Sequence, residues 1–335
     1  MLALAGIPLG LQFRFLDPSP EACAGEVGEL VVGSFDDEVL LDRLASGAAA
    51  VTYEFENVSV AAARRVGAVP GSRALEEGQD RLREKELFRR LGIPTARFGS
   101  LDETGLPAVV KSRRLGYDGK GQRVVRSAES PRDDELAEEL VSFSRELSLI
   151  SVRGRDGEVA FYPLVENVHR DGILQVSRAP AMDGADDIAQ GYARLLLEEL
   201  DYVGVFALEL FEVDGALLAN EFAPRVHNSG HWTIDGAVTS QFENHLRAIL
   251  GWPLGSTTAL GSCAMVNLVG AIPPVERLLV LPGAHVHLYG KEPRPGRKVG
   301  HVTFVDASEE TIAEAVRLTG PRFDLATPTS TRDTA

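Results

Sequence analysis

Apolar residues along this chain recur at two spacings, and the switch between them predicts alternating strands and helices. Met1–Ala5 reads as the end of a helix stopped by Gly6 and Pro8, and Gln12–Leu16, Glu29–Val32 and Ala48–Tyr53 read as short strands. Between the last two, Asp36 or Asp37 can cap a helix to about Ser46, with Val39, Leu40 and Leu44 on its apolar side. Such alternation predicts a parallel sheet with ligands at the carboxyl ends of its strands, where Glu56 and Asn57 fall. The same stretch equally suits a plain helix start at Asn57 or Ser59.

Further on, Gly78–Gly92 reads as a helix with Leu82, Leu87, Phe88 and Leu91 on one face, closed by Gly92 and Ile93-Pro94. Leu106–Lys111 and Gly121–Arg126 read as strands flanking a glycine-rich loop from Gly116. Asp133–Val141, rich in Glu, reads as a helix. Arg145–Val152 alternates, turns at Arg155-Asp156-Gly157 and returns as Glu158–Val165, a hairpin pattern. A helix follows Asp186 or Asp187 to Leu200. Val203–Val213 and Leu217–Phe222 form a second hairpin, and Ser240–Leu250 is a helix closed by Gly251. Beyond Trp252-Pro253 the pattern changes to short strands, Cys263–Val269, His285–Tyr289 and Gly300–Val305, then one helix, Glu309–Leu318. Pro321–Ala335 has the composition of a disordered tail. The expected organisation is therefore residues 1–75 as an α/β unit, 76–250 as a central unit, 251–320 as a small β-rich unit, and a tail.

Composition narrows the function classes. With 335 residues, 44% of them apolar, the chain can bury a substantial core. Its net charge of -15 argues against a nucleic-acid scaffold, and no apolar run approaches a membrane span. Two distant cysteines, Cys23 and Cys263, argue against a disulfide framework and fit a reducing, cytoplasmic setting. On so acidic a chain, the basic cluster Lys111, Arg113, Arg114, Lys120, Arg123 and Arg126 points to a local anionic ligand or to a solvated strand edge.

The candidate chemistry gathers in two places. The loop Gly116-Tyr117-Asp118-Gly119-Lys120-Gly121-Gln122 lies between antiparallel strands, where glycines let backbone N–H groups approach phosphate. Lys111, ending the preceding strand, is placed to reach the same phosphates. The second place is Asn220–Gly236, NEFAPRVHNSGHWTIDG, which grows out of the second hairpin. Glu209 and Glu221 lie on its two strands. A two-residue turn at Asp214-Gly215 pairs Glu209 with Asn220; a three-residue loop with a bulge at the glycine pairs it with Glu221. Facing carboxylates repel unless a cation lies between them, and magnesium with nucleotide phosphates takes that arrangement. His227 and His231, spaced HxxxH, form at most half of a zinc site.

These stretches carry a family resemblance. GYDGKGQ at Gly116–Gln122, FYPLVENVHRDGIL at Phe161–Leu174 and NEFAPRVHNSGHWT at Asn220–Thr233 resemble the N5-carboxyaminoimidazole ribonucleotide synthases, ATP-grasp ligases of purine biosynthesis. YEFENV at Tyr53–Val58 and RKVGHVT at Arg297–Thr303 resemble them too, so the likeness runs to about residue 318. It implies an ATP-grasp fold of mixed α/β and α+β character with a small C-terminal β-rich domain, and an N-terminal parallel-sheet domain lacking the family's usual first strand and glycine-rich turn. It implies carboxylation of 5-aminoimidazole ribonucleotide by bicarbonate and ATP through carboxyphosphate, magnesium as the metal, and a homodimer. Arg81, Lys111, Gly116–Gln122, Glu138, Val141, Glu146, His169, Asn220 and Glu221 are then expected to hold ATP, and Glu209 and Glu221 magnesium. Tyr117, Asp118 and Lys120 would close over the reacting centre with Arg225 and His231. Glu56, Asn57, Arg225, His227, Asn228, Ser229, His231 and Lys298 would line the bicarbonate and ribonucleotide region. A formate-using glycinamide ribonucleotide transformylase and an ATP-binding protein without turnover are the alternatives.

Overall fold

The computed structural model describes residues 1–116, 121–127, 131–181 and 185–319. The N-terminal region carries β1 (Arg14–Asp17) and β2 (Glu29–Val32), paired in parallel as expected. Asp37 caps the helix Glu38–Ala45 by accepting from Val39 N and Leu40 N. Leu41 is the residue this helix buries, while Val39 is exposed, so the inward stripe is rotated from the expected one. Residues 48–53 are not a strand among the described residues. Strands need a ladder, whereas the tie from this segment to a neighbour is one backbone bond, from Val69 N to Val51 O. Ser59, rather than Asn57, caps the next helix, Val60–Arg65.

The expected helix Gly78–Gly92 is Arg81–Arg90, and a separate helix not expected, Ser72–Gly78, precedes it. The expected helix starts at Arg81 rather than Gly78 because the Asp80 carboxylate caps it through Leu82 N and also pairs with Arg113. Next comes a small antiparallel sheet of β3 (Phe98–Gly99), β4 (Ala108–Ser112), β5 (Gln122–Val125) and β6 (Glu135–Glu139), ordered β3-β6-β4-β5. The predicted helix at 133–141 is β6. Its glutamates favour helix locally, but pairing with β3 and β4 satisfies its backbone and buries Leu136, Ala137 and Glu138.

The remaining strands build one large antiparallel sheet: β7 (Arg145–Arg153), β8 (Val159–Phe161), β9 (Val165–Arg170), β10 (Ile173–Ala179), β11 (Gly204–Val213), β12 (Ala216–Ala223), β13 (Cys263–Val269), β14 (Ala284–Leu288) and β15 (Lys298–Val305). The order is β12-β11-β7-β9-β10-β13-β15-β14, with β8 beside β7, so the strands after residue 251 extend the central sheet. The helix Asp186–Glu199 packs Ala189, Ala193, Leu196 and Leu197 on one face, against Leu147, Leu149, Phe206 and Leu208. Asp186 lies inside that helix and accepts from Leu164 N instead of capping. On the other face the helix Gln241–Leu250 packs Phe242, Leu246 and Ile249 against Ile150, Val152 and Val205. Its start is capped by Ser240 and its end by Gly251 at φ 71°. The helix Glu309–Thr319 covers the far end, against Val266, Val302 and Phe304. Residues 320–335 lie outside the described residues.

Candidate active site

Alternation along β7 and β11 decides which side chains can meet. Glu146 and Ser148 on β7 share a face with Glu209 on β11, because Ser148 pairs with Glu209. Leu147 and Leu149 go to the opposite, apolar face. On β9, Asn167 pairs with Glu146, and His169 lies two residues on, so one face of the sheet is polar at this end.

The hairpin β11–β12 pairs Glu209 with Glu221, the register expected of a three-residue loop, but reaches it by another route. Its turn is the two-residue Asp214-Gly215, with φ 49° and 79°, the left-handed pair of a tight hairpin. Val213 pairs with Ala216 and Leu210 with Ala219; the register then shifts, leaving Asn220 as the extra residue before Glu209 and Glu221 meet. The bulge therefore sits at Asn220, inside the strand, and not at the glycine. It has a use. Asn220 O accepts from Lys85 Nζ at 2.7 Å, while Asn220 Oδ1 is buried without a hydrogen-bond partner.

Lys85 is not among the expected site residues, since only Leu82, Leu87, Phe88 and Leu91 mark an apolar face in this helix and its charged residues read as solvated. Yet Arg81, Glu84, Lys85 and Phe88 fall on one stripe at helical spacing, and that stripe faces the site. Lys85 is 1% exposed, and its Nζ also reaches Thr95 Oγ1 at 3.1 Å and Glu138 Oε2 at 3.3 Å. Glu138 in turn holds Lys111 at 2.9 Å. Burial alone raises the Glu138 carboxyl, but Lys111 and Lys85 outweigh it and hold the group at about 2. Burial also draws the Lys111 ammonium below its ordinary range. Arg81 Nη1 donates to Glu221 Oε2 at 2.6 Å and Nη2 to Gly116 O at 3.3 Å. Burial opposes ionisation of Glu221, and Arg81 and Lys111 keep it below its usual range nonetheless. Glu84, fully buried, accepts from Phe222 N at 2.6 Å; burial, then the Glu221 charge, pushes it up to about 8.

Arg81, Lys111, Glu138, Asn220 and Glu221 thus form one connected cluster. Gly116 joins it through its carbonyl, and Gly121 and Gln122 lead into β5, where Gln122 pairs with Lys111. Tyr117, Asp118, Gly119 and Lys120 lie outside the described residues. Val141 follows β6 on the connection between the two sheets. Glu146 Oε2 and His169 Nδ1 form an ion pair; burial lowers the imidazole, but Glu146 outweighs it and raises it overall.

The second group lies alongside. Arg225 Nε donates to Glu56 Oε2 at 2.9 Å, and the Glu56 loop is pinned by Gln79, whose amide donates to Glu56 O and Val58 O. Asn57 is half-buried in that loop, with no hydrogen bond to these groups among the described residues. The two histidines do not converge on a common point. His227 Nε2 lies 3.0 Å from Glu209 Oε1, and its Nδ1 lies 2.8 Å from Ser229 Oγ. His231 instead turns Nδ1 to Asn228 and Tyr289. Ser229 belongs to a buried chain: Ser148 Oγ donates to it at 2.8 Å, and Asn167 Nδ2 donates to Ser148 at 2.9 Å. Lys298 stands at the start of β15, the strand that also carries His301. Tyr289, His301 and Asn267 are not among the expected site residues, although His301 shares β15 with the expected Lys298; Asn267 lies on β13 and Tyr289 just past β14.

The chain is similar to known proteins over most of its length. Residues 1–78 match the ribonucleotide synthetase preATP-grasp domain, 87–242 the ATP-grasp domain, and 263–315 the phosphoribosylaminoimidazole carboxylase C-terminal domain. An N5-carboxyaminoimidazole ribonucleotide synthase of Pseudomonas aeruginosa is 48% identical over 334 residues, covering 93% of each chain. The crystal structure of N5-carboxyaminoimidazole ribonucleotide synthetase from Thermus thermophilus superposes with a TM-score of 0.91 at 54% identity, covering 96% of each chain. The Aspergillus clavatus N5-carboxyaminoimidazole synthase, in complex with ADP and 5-aminoimidazole ribonucleotide, superposes with a TM-score of 0.85 at 32% identity over 95% of each chain.

Proposed function

This chain belongs to the N5-carboxyaminoimidazole ribonucleotide synthase family, and we propose that it carboxylates the exocyclic amine of 5-aminoimidazole ribonucleotide with bicarbonate and ATP. Bicarbonate oxygen attacks the γ-phosphorus, ADP leaves, and carboxyphosphate forms. The amine nitrogen then attacks the carboxyl carbon, phosphate leaves with the C–O electron pair, and the amine loses a proton.

The residues support that division of labour. Lys111, Arg81 and Lys85 bring three cations into one buried cluster, the setting that phosphoryl transfer needs for alignment and charge neutralisation. Glu138 and Glu221 keep those cations oriented before nucleotide arrives. Val141 and Glu146, on and beyond the inter-sheet connection, suit the base and ribose, with His169 orienting Glu146. Glu209 and Glu221 would hold magnesium: they pair across the ladder, and the residue before Glu221, Asn220, carries a buried Oδ1 without a hydrogen-bond partner. Bound there, the ion would neutralise charge on the nucleotide phosphates. Arg225, His227, Asn228, Ser229, His231 and Lys298, with Glu56 and Asn57, suit bicarbonate and the ribonucleotide. Tyr117, Asp118 and Lys120, which lie in the sequence between β4 and β5, would exclude water from carboxyphosphate.

The single observation that carries this reading is the Glu209–Glu221 pairing beside the Arg81–Lys111–Lys85 cluster, on a chain alike over most of its length to these synthases. The test is ADP release measured with and without 5-aminoimidazole ribonucleotide and bicarbonate. ADP release that needs both supports the assignment; dependence on formate, or none on either, overturns it.

A further inference from the structure

The buried polar groups around His231 determine which of its ring nitrogens carries the proton. The Leu174 carbonyl, at one end of this network, can only accept. Asn267 Nδ2 lies 3.0 Å from it and 2.7 Å from Asn228 Oδ1, so both Asn267 N–H bonds are used. Asn267 Oδ1 must then accept from Asn228 Nδ2, at 3.2 Å. The remaining Asn228 N–H points at His231 Nδ1, at 3.3 Å. An N–H aimed at Nδ1 requires a bare lone pair there. The Tyr289 hydroxyl lies 3.0 Å from the same nitrogen and 2.7 Å from His301 Nδ1. If His231 Nδ1 is bare, Tyr289 must donate to it, since two lone pairs would otherwise face each other; the Asn228 N–H and the Tyr289 O–H then share its one in-plane lone pair in a three-centre bond, the hydroxyl at 3.0 Å being the nearer donor. His301 then donates from Nδ1 to the tyrosine oxygen, which leaves His301 Nε2 as a bare acceptor. That atom is buried and has no hydrogen-bond partner. The His301 ring is held by stacking on His287, centroids 4.7 Å apart and planes 18° apart, and His287 is fixed by Asp235 at 2.7 Å. Burial, then the neighbouring His301, draws His231 well below the ordinary imidazole range, so the ring is neutral as the network needs.

We propose that Asn267, Asn228, Tyr289 and His301 are positioning residues that lock His231 in its Nε2–H form, so that His231 serves the reaction as a hydrogen-bond donor and not as the proton acceptor for the amine. This rests on His231 belonging to the substrate region, as proposed above. The donor would engage an oxygen of the carboxyl group or of the ribonucleotide. The amine's proton must then leave to another acceptor, and phosphate oxygen freed from carboxyphosphate is chemically competent for it.

Two measurements test this. The first needs no substrate: long-range ¹H–¹⁵N correlation spectra of the histidine-labelled protein, with His231 assigned by its loss in His231→Gln. A bare Nδ1 and a protonated Nε2 are expected. The opposite tautomer, or an imidazolium at neutral pH, overturns the proposal whatever the reaction proves to be. In Asn228→Asp, a carboxylate oxygen in place of the N–H should turn the tautomer over to Nδ1–H; an unchanged tautomer there also counts against it. The second is turnover. His231→Gln keeps an N–H near the Nε2 position but cannot accept a proton there, and should retain kcat within about tenfold of the parent. His231→Ala should lose about a hundredfold or more. Equal, deep losses in both variants would assign His231 as a base and overturn the proposal. Parent protein with no ribonucleotide-dependent ADP release would refute the functional reading instead, leaving the tautomer result standing.

Discussion

Replacing Lys85 by Met isolates the part of the site that sequence reading missed. The ammonium makes three contacts in a nearly dry place: Asn220 O at 2.7 Å, Thr95 Oγ1 at 3.1 Å and Glu138 Oε2 at 3.3 Å. Methionine preserves the stem's packing, including its approach to Phe88, and removes only the charge and the donors. Removing one partner of a buried pair costs about 3–5 kcal/mol, because the other charge stays buried without compensation. Here Glu138 keeps Lys111 at 2.9 Å, which places the loss near the lower end, about 3 kcal/mol. A chain of this size has a total stability on the order of 5–15 kcal/mol, so the effect is large. Urea unfolding at pH 7 is the assay. With a slope of about 3 kcal/mol per M, the midpoint should fall by about 1 M. The double variant Lys85→Met with Glu138→Gln should lose less than the sum of its parts, since the gap left by the lysine then faces no charge; the expected coupling is about 1 kcal/mol or more. A single-variant midpoint within about 0.2 M of the parent, or strict additivity, would refute the account of Lys85 as the tie between β6 and the Asn220 bulge.

Three further outcomes follow from the same structure. Glu84, raised to about 8 when folded against 4.5 unfolded, favours the folded state fully below pH 4.5, and that contribution is lost as pH rises towards 8; the stability difference between Glu84→Gln and parent should therefore move in the variant's favour from about pH 5 to 8, and a flat difference in urea titrations would refute it. Glu138 has the opposite sign: held at about 2 against 4.5 unfolded, it contributes stability above pH 4.5 that is lost as pH falls towards 2, so Glu138→Gln should flatten the acid limb of the pH–stability curve. Gly215 sits at φ 79° in the two-residue turn, where a branched side chain is strained, so Gly215→Val should lower stability by about 1–2 kcal/mol and Gly215→Asn by much less, as read by thermal unfolding.

Much of the fold follows from local signals, and local physics explains why. The alternation in Arg145–Val152 sorted Glu146 and Ser148 from Leu147 and Leu149, because strand side chains can only alternate. Ser240 and Gly251 bracket their helix since an N-cap acceptor and a left-handed C-terminal glycine act within one turn. The nucleotide and histidine stretches were readable as motifs, and most of their residues do come together. Contacts between distant segments were not readable. Glu135–Glu139 prefers helix in isolation and is a strand because two neighbours supply its ladder. Lys85 and Glu84 look solvated until β12 and β6 close over them. Even the correct pairing of Glu209 with Glu221 arises from a bulge at Asn220, which exists because its carbonyl meets Lys85 from another element.

His231 shows the division most sharply. The chain alone established that a histidine follows Asn228 by three residues in a polar loop, and so that it could bind metal, accept a proton or donate one. Its chemical state was settled by atoms 39, 58 and 12 residues apart along the chain, in the Asn228–Asn267, His231–Tyr289 and Tyr289–His301 contacts. Residue type and spacing decide what a side chain can do; a buried donor or acceptor with one available partner decides what it does, and partners of that kind are brought together only by the folded sheet.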